Sequence, residues 1–416
     1  MLELQTGDLL EKRADSIMEK YAFKYENLVA YKEDEDYNDE TYRTRFRRDK
    51  DRLLYSEAYR RLQNKTQVFA NSVENCVRTR LTHTLEVQQL ASSIAEALCA
   101  NKDLAEAIAV GHDIGHTPFG HAVERELDSK LKLNNLGGYS HAIQSIRCVS
   151  LANIKVNSVV LEGMLKHDTE TFVFSRLGQF EKGQHDCTEL NPSCAGGVEA
   201  QIVFWSDKIA YLSHDWEDFS KSSIFQKLQK DKLLDWKKLI DLWAPLLSPN
   251  GIKSLQEGEL FQTRDLIRTL TTNLIKNSQN NLDKVNSYSD VIDYTQKAFA
   301  NEIGTQPLDT KLLKKAFRNG LLVNFDKNIR DAITAVNEEI IVKYFLGCSE
   351  VEKSDYRAKC IIGKLFDVFC ENSKLLPSKT RKIIDEGKYP KERIVADHLS
   401  GMTDQYAERI YRELFL

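Results

Sequence analysis

The sequence lacks several features that mark specialised classes of protein. It has only 7 prolines in 416 residues, and a low proline content leaves long helices uninterrupted. It contains no run of about 18 apolar residues. The segment from Met1 to Ala30 alternates apolar and charged residues and has no uncharged signal-peptide core. These absences predict a cytoplasmic protein with no membrane partner.

The sequence also lacks paired cysteine spacings and a large excess of charge of one sign. The 8 cysteines are scattered, without the paired spacing of a disulfide framework or a zinc ribbon. The balance of 58 Lys and Arg against 62 Asp and Glu supplies no overall field for DNA or an anionic membrane. No glycine-rich G-x-x-x-x-G-K loop occurs, which disfavours a P-loop NTPase. A polyanion would therefore need a local cluster of residues.

The pattern of apolar residues, which repeat every three or four positions, predicts an all-α protein. We expect an N-terminal arm and helix over 1–52, a helical core over 53–219, and a C-terminal helical region over 220–416 that packs on the core. Within the core, residues 168–197 are polar and contain glycine, cysteine and proline. That composition predicts a long loop or lid.

Histidines are concentrated in one part of the chain. Five of the 9 lie between positions 83 and 141, namely His83, His112, His116, His121 and His141. Asp113 follows His112 directly, and Gly111 and Gly115 flank the pair. The small glycines predict room for a ligand or metal to approach the backbone. Imidazole and carboxylate together suit divalent ions, including those that activate water for hydrolysis.

Taken alone, His83 has a simpler interpretation as a core histidine, because it shares an apolar helix stripe with Val87 and Ile94. That interpretation weakens beside the His112-Asp113 pair and an inward-facing Asp207 further along the chain. A buried, unpaired aspartate is costly, and a cation compensates it. The combination therefore favours a metal site.

A second helix is predicted from Thr117-Pro118, a capping residue followed by proline in the first turn. On this helix His121 and Glu124 are three positions apart and share a face. A histidine with a neighbouring carboxylate is the usual composition of a general acid/base pair. The alternative, a surface ion pair, would be favoured only without the metal set.

These motifs are similar to those of known enzymes. His83, His112-Asp113 and Asp207 match the H…HD…D signature of HD-domain metal-dependent phosphohydrolases. Flanking segments narrow the resemblance to the deoxyguanosine triphosphate triphosphohydrolase-like family; they are Arg60–Val68, Arg78–His83, Gly111–His121, Leu161–Gly163, Lys166–His167, Val395–Asp397 and Ser400–Tyr406. The matches are dense over 43–219 and return over 390–416.

The resemblance implies an HD-domain helical core with a C-terminal helical extension. It implies a divalent metal (Mn, Mg, Fe, Co or Ni) bound by His83, His112, Asp113 and Asp207. It implies His121 and Glu124 as the catalytic dyad, with His116 facing a phosphate and assisting proton transfer. Arg80 would lie against the α-phosphate or the base, and His141 would touch the phosphates. Many relatives have His-Asn where this chain has His141-Ala142.

The substrate face follows from the helix that carries Asp207. Tyr211 and Asp215 lie four and eight positions on, which places all three on one face. In the family such a tyrosine ring packs on deoxyribose and leaves no room for a 2′-hydroxyl. The aspartate binds the 3′-hydroxyl there, and Gln67 helps from the opposite wall. The cationic candidates for the three phosphates are Arg61, Arg80, Lys208 and Lys65, of which Lys65 is most simply explained as solvated.

The implied activity is hydrolysis of dGTP, and of other dNTPs, to deoxynucleoside and triphosphate. A hydroxide activated by the metal would attack the α-phosphorus. Two alternatives stay open: another HD-type nucleotide phosphohydrolase or phosphodiesterase, and a nucleotide-sensing or single-strand nucleic-acid-binding module. The basic run Arg43–Arg48 motivates the binding module, although its helical continuation favours salt bridges. Family members commonly form homo-oligomers, often hexamers, and some are activated by a dNTP at a second site.

Overall fold

The structure is helical, as the sequence predicts. The computed structural model describes residues 6–30, 42–66, 78–178, 187 and 189–416. Within those ranges the β-structure is limited to one bridge between Thr66 and Thr79. None of the helices described there has the length and apolar character needed to cross a membrane.

The chain divides into two compact units whose boundaries differ from the predicted ones at 52 and 219. The first unit comprises Met1–Phe204, Val285–Leu321 and Ser354–Leu416, and the second comprises Trp205–Lys284 and Leu322–Lys353. The N-terminal arm belongs to the first unit, where the Tyr25 hydroxyl donates to Asp103 at 2.9 Å and the Phe23 N–H donates to Glu199 at 3.0 Å. The region 220–416 is shared between the units, so it is not one extension.

The first unit contains most of the helices. They are α1 Gly7–Ile17, α2 Arg45–Leu54, α3 Glu57–Arg61, α4 Arg80–Ala97, α5 Lys102–Gly111, α6 His121–Leu133, α7 His141–Leu151, α8 Ser158–Lys166, α9 Thr169–Arg176, α15 Tyr288–Ile303, α16 Thr310–Gly320, α18 Ser349–Glu371 (from Ser354), α19 Ser378–Asp385, α20 Lys391–Ser400 and α21 Asp404–Phe415. Helix α10, Val198–Lys221, contains the boundary between the units.

The second unit is built from helices around an aromatic core. They are α11 Ser223–Lys230, α12 Trp236–Trp243, α13 Pro249–Gln256, α14 Thr263–Leu282, α17 Lys327–Val336 and the π-helix Asn337–Leu346. Trp216 stacks on Phe261 with ring centroids 5.1 Å apart, and Trp243 packs beside both. The indole of Trp205 donates to the carbonyl of Val323 at 2.8 Å, which satisfies its buried N–H.

Helix α5 lies at the centre of the first unit, against α2, α4 and α8. It begins where the Asn101 side chain accepts from the backbone N–H of Leu104 at 3.0 Å. Its buried alanines, among them Ala105 and Ala109, let neighbouring helices approach closely. His112 follows directly at the C-terminal cap. The packing of α5 therefore places the His112-Asp113 pair in the interior of the first unit.

Helix α6, which carries His121 and Glu124, is covered by the C-terminal helices α18 and α20. Val123 and Leu127 belong to one buried cluster with Ile362, Phe366 and Leu399. Residues 123–139 and the C-terminal residues 358–407 thus build one core around this helix.

A buried polar clamp fixes α20 to α7. The carboxylate of Asp397 accepts from Arg147 at 2.9 Å and 2.6 Å and from Gln144 at 3.0 Å. Arg393, also on α20, donates to the carbonyls of Leu136 and Gly138 at 2.7 Å and 2.8 Å. These bonds fix the C-terminal helices against the loop that leads into α7.

The predicted loop or lid over 168–197 is wrong in its first part, where the structure has helix α9. Asp168 caps this helix by accepting from the N–H of Thr169 at 2.7 Å. Phe172 is buried and packs against Phe299 and Phe317, with ring centroids 5.0 Å and 5.3 Å away. Packing against distant helices therefore outweighs the loop-like composition. Residues 179–186 and 188 lie outside the described residues.

Replacing Asp397 with alanine should destabilise the first unit strongly, because it leaves the buried Arg147 guanidinium without its anion. We expect a loss of about 3–5 kcal/mol in the free energy of unfolding, measured by urea denaturation. Asp367→Ala is the matched control, since its 2.7 Å ion pair with Lys130 is mostly exposed on the aspartate side. That control should cost less than about 1 kcal/mol. Equal losses in the two variants would contradict the proposed clamp.

Glu199 is a buried carboxyl group at the start of α10. It accepts from the backbone N–H groups of Phe23 and Asn101 at 3.0 Å and 2.9 Å. Burial raises its pKa from 4.5 to about 7, and these two hydrogen bonds only partly oppose the rise. The fold therefore favours the protonated acid.

Glu199 should make stability depend on pH. The contribution of its protonated form is fully present below pH 4.5 and is lost as the pH rises through about 7. We expect the unfolding free energy of the wild type, relative to Glu199→Gln, to fall by up to about 3 kcal/mol between pH 4.5 and pH 8. Urea denaturation at several pH values measures it. The exposed control Glu371→Gln should track the wild type, and a flat difference for Glu199→Gln would refute the prediction.

Candidate metal and catalytic site

Six histidines gather around Asp113 in the first unit. His83 comes from α4, His112 from the end of α5, His141 from the start of α7 and His167 from the end of α8. His116 and His121 lie in and after the turn between α5 and α6. All except His121 are buried.

The predicted ligands His83, His112 and Asp113 come together. Their ligand atoms all lie within 4.8 Å of one another. His112 Nδ1 lies 2.6 Å from the carbonyl oxygen of Ala109, so this nitrogen carries the proton and Nε2 is the nitrogen left for a metal. His112 Nε2 is 3.4 Å from Asp113 Oδ1, and His83 Nε2 is 4.0 Å from Asp113 Oδ2. A buried set of two imidazoles and one carboxylate fits a divalent cation.

Asp113 is held as an anion. Burial alone would raise the pKa of its carboxyl, but the neighbouring His116, His112 and Arg80 outweigh burial and hold that pKa well below its usual value. Arg80 donates to Asp113 Oδ2 at 3.2 Å. The side chain predicted to meet a phosphate thus lies against a candidate metal ligand.

The glycines beside the His112-Asp113 pair allow neighbouring helices to pack closely, whereas the sequence predicts that they leave room for a ligand. A Cβ on Gly111 would lie 2.5 Å from Met164 Sδ. A Cβ on Gly115 would collide with the backbone at the start of α7, at Ser145 N and His141 O. The prediction of room for a ligand is therefore wrong at these positions, because neighbouring helices occupy the space.

The predicted dyad is hydrogen-bonded. His121 Nδ1 lies 2.9 Å from Glu124 Oε2, with Glu124 buried and the His121 side chain 45% exposed. Burial would raise the pKa of Glu124, but His141 and the hydrogen bond from His121 hold it well below its usual value. Helix α6 begins at His121 and not at Thr117-Pro118, because Phe119 and Gly120 have φ of 59° and 68°.

His116 and His141 stack, with ring centroids 4.0 Å apart and an interplanar angle of 10°. Burial, aided by the charge of Arg80, lowers the pKa of His116 well below its usual value. Burial also lowers the pKa of His141, but the adjacent Glu124 outweighs it and raises that pKa to about 9. The stacked pair therefore has one neutral ring and one that takes up positive charge readily.

Two of the cationic candidates for the phosphates, Lys65 and Arg61, are engaged with other groups of the protein. Lys65 is buried, and its Nζ donates to the carbonyls of His116 and Ser400. The prediction of a solvated Lys65 is therefore wrong; burial lowers its pKa to about 8. Arg61 is partly exposed and pairs with Glu57 at 2.9 Å. Gln67 lies outside the described residues.

The remaining candidates, Asp207, Lys208, Tyr211 and Asp215, lie on α10 in the second unit. One continuous helix carries all four residues, as the sequence predicts. Asp207 and Asp215 are 8% and 1% exposed. Lys208 Nζ donates to Asp207 Oδ2 at 3.0 Å.

Sequence reasoning assigned no role to His167 and Glu170. The ring of His167 lies beside those of His112 and His141, with centroids 5.0 Å and 5.1 Å away. Glu170 and Asp168 form a potential ligand group with His141. The only signal was the run His167-Asp168, a second histidine-aspartate pair, whose position beside the first depends on helix packing.

The basic run that motivated a nucleic-acid-binding module is engaged in ion pairs. Arg43 pairs with Asp51 at 2.6 Å, and Arg47 pairs with Asp103 at 3.0 Å. Together with the Arg45–Glu11 pair, these contacts support the salt-bridge interpretation.

Comparison with known proteins gives consistent matches. Residues 80–193 match the HD domain model, and residues 323–413 match a phosphohydrolase-associated domain. The chain is 34% identical over 402 residues to a deoxyguanosinetriphosphate triphosphohydrolase-like protein of Bartonella quintana, covering 90% of each chain. It is 31% identical over 394 residues to a protein of the same description from Rickettsia conorii, covering 90% of this chain and 92% of the relative.

Proposed function

The chain belongs to the deoxyguanosinetriphosphate triphosphohydrolase-like family of HD-domain proteins, and from this premise we propose that it hydrolyses dNTPs to deoxynucleoside and triphosphate. The observation that carries the proposal is the buried set of His83, His112 and Asp113 in the same unit as the hydrogen-bonded His121–Glu124 pair. A cation site and an acid/base pair are the two parts that phosphate-ester hydrolysis requires.

His83, His112 and Asp113 would hold the divalent ion. When bound, the ion supplies positive charge and polarises water beside the phosphate. Asp207 is proposed as the fourth ligand on the basis of the sequence resemblance. The metal can be Mn, Mg, Fe, Co or Ni, since such a mixed ligand set does not select one of them.

The dyad would donate a proton to the leaving group. Glu124 accepts from His121 Nδ1 at 2.9 Å, which orients the ring and leaves Nε2 at its outer edge. In the proposed step, water attacks the α-phosphorus, the bond to the 5′-oxygen breaks, and His121 Nε2 gives a proton to that oxygen. The attacking water loses its proton to solvent through His116. Partial exposure of His121 allows it to meet a substrate.

Positive groups beside Asp113 and Glu124 suit a triphosphate. We propose that Arg80 and His141 contact the phosphates, because guanidinium and imidazolium groups pair well with phosphate oxygens. We propose Arg61 and Lys208 as further phosphate contacts. For Arg80, the bond to Asp113 would have to be exchanged for one to the substrate.

We propose that Tyr211, Asp215 and Gln67 make the site specific for deoxyribose. Tyr211 and Asp215 follow Asp207 by one and two further turns of α10. A tyrosine ring against C2′ excludes a ribonucleotide by steric conflict, and an aspartate accepts from the 3′-hydroxyl. By the same resemblance, we propose a homo-oligomer, with a hexamer as the first candidate, and activation by a dNTP at a second site.

Product identity tests the reaction. The protein is incubated with each dNTP and each NTP in Mn²⁺ or Mg²⁺, alone and as mixtures, and the products are separated by ion-exchange chromatography. We expect deoxynucleoside and intact triphosphate from dNTPs and at least 100-fold slower turnover of NTPs. Monophosphate with pyrophosphate would overturn the proposal in favour of a different HD phosphohydrolase. A salt-sensitive gel shift with single-stranded DNA and no turnover would instead favour the binding module.

Two variants separate metal binding from proton transfer. Asp207→Ala should lose Mn²⁺ affinity and turnover together, whereas His121→Gln should retain the affinity and lose about 10²–10⁴-fold in kcat. Isothermal titration with Mn²⁺ and steady-state kinetics measure the two quantities. Loss of Mn²⁺ affinity in both variants would contradict the assignment of roles. Arg125→Gln, on the exposed part of α6 and paired with Asp355, controls for nonspecific changes on that helix.

A further inference from the structure

The turn between α5 and α6 carries the proposed proton-transfer groups, with His116 at its start and His121 directly after it. Its backbone passes through positive φ at Phe119 and Gly120, 59° and 68° respectively. Within the turn, the hydroxyl of Thr117 donates to the carbonyl of Gly120 at 2.8 Å. Positive φ is strained for a residue with a side chain, so it persists only where surrounding groups fix it. The positions of both histidines therefore depend on what holds this turn.

Lys65 holds the start of the turn. Its Nζ donates to the carbonyl of His116 at 2.5 Å and to that of Ser400 at 2.7 Å, and the side chain is buried. Among the described residues, its side chain thus has two neutral carbonyls as hydrogen-bond partners. Burying an ammonium group beside neutral partners costs stability, and a methionine of similar length would avoid that cost. What the ammonium group contributes is the connection between the turn and the C-terminal segment.

Asp404 holds the end of the turn. This buried carboxylate lies at the start of α21, and its Oδ1 accepts from the backbone N–H of Phe119 at 2.9 Å. Its Oδ2 accepts from the backbone N–H and the hydroxyl of Thr66, at 3.1 Å and 2.6 Å. The N-terminus of a helix favours a negative charge at this position. One carboxylate thus joins the turn to the residue that follows Lys65.

The backbone of Lys65 and Thr66 also contacts the start of α4. The carbonyl of Lys65 accepts from the N–H of Arg80 at 3.1 Å, and Thr66 forms the β-bridge with Thr79. The first turn of α4 carries His83, a predicted metal ligand. Lys65 and Thr66 therefore link three segments of the first unit: the start of α4, the turn between α5 and α6, and the C-terminal segment.

We propose that Lys65 and Asp404 are positioning residues, which act through the backbone of the turn to hold His116 and His121 in place relative to the metal ligands. The proposal rests on the proposed function for the catalytic roles of those two histidines. It replaces the phosphate contact that the sequence suggests for Lys65. A catalytic group misplaced by about 1 Å costs about 100-fold in rate. Loss of either residue should therefore slow the chemical step more than it weakens substrate binding.

Hydrogen exchange tests the contacts of Asp404 without turnover. In the full chain, exchange of the Phe119 and Thr66 amides is followed by mass spectrometry with fragmentation to single residues. Asp404→Ala removes both acceptor oxygens and should speed exchange at both amides about tenfold, because each loses a hydrogen bond. Asp404→Asn has the same shape but one acceptor oxygen, so exchange should rise at one of the two amides.

The asparagine variant provides the test if the alanine variant does not fold. Glu413→Gln is the matched control, because Glu413 lies on the same helix and its side chain is 59% exposed; its two amides should exchange as in the wild type. Wild-type exchange at both amides in a folded Asp404 variant would overturn the proposal.

Steady-state kinetics and Mn²⁺ titration test the positioning itself. Asp404→Asn and Lys65→Met, assayed well below their melting temperatures, should lower kcat by about 10–100-fold and leave KM and Mn²⁺ affinity nearly unchanged. Lys379→Met, at an exposed position on α19, is the matched control for the lysine and should retain the wild-type kcat. A lower melting temperature with a wild-type kcat would make both residues structural and overturn the proposal.

The two measurements separate the positioning role from the proposed function. Faster exchange in Asp404→Ala, with no dNTP turnover by the wild type, would reject the proposed function alone. Turnover of dNTPs by the wild type, with unchanged exchange and kcat in the variants, would reject the positioning role alone.

Discussion

The site depends on a buried negative charge, the carboxylate of Asp113. It follows closely after the C-terminus of α5, the negative end of a helix dipole, which disfavours an anion. The fold compensates this cost with cationic and polar neighbours: Arg80 at 3.2 Å and His116 at 3.0 Å. Because each compensating group comes from a different element, the charge fixes the relative positions of α4, α5 and the turn that follows.

Helix ends supply the second constraint, the tautomer of the histidines. Helix C-termini leave backbone carbonyls without partners within the helix. At the ends of α5 and α8, His112 and His167 donate to such carbonyls. One hydrogen bond satisfies a buried carbonyl and at the same time makes Nε2 the basic nitrogen. The same stabilising interaction therefore prepares the ring for chemistry, without a dedicated supporting residue.

What could be predicted from the sequence was local. The i,i+3 spacing of His121 and Glu124 and the inward position of His83 follow from helix periodicity, and the structure has both. Gly115 and Lys65 were misinterpreted because the backbone of α7 and the carbonyl of Ser400, which explain them, come from distant segments. His167 was missed for the same reason. Residue type and spacing carry no information on which helix ends meet.

The C-terminal segment also shapes the site, which explains why its sequence resembles the family. Between His116 and His121 the backbone passes through Phe119 at φ 59°, a conformation that costs a residue with a side chain about 1–2 kcal/mol. Asp404 offsets that cost, because its Oδ1 accepts from the N–H of Phe119 at 2.9 Å while Oδ2 accepts from the hydroxyl of Thr66 at 2.6 Å. The resemblance over Ser400–Tyr406 therefore reflects support of the turn before the dyad. Substrate contact is not needed to account for it.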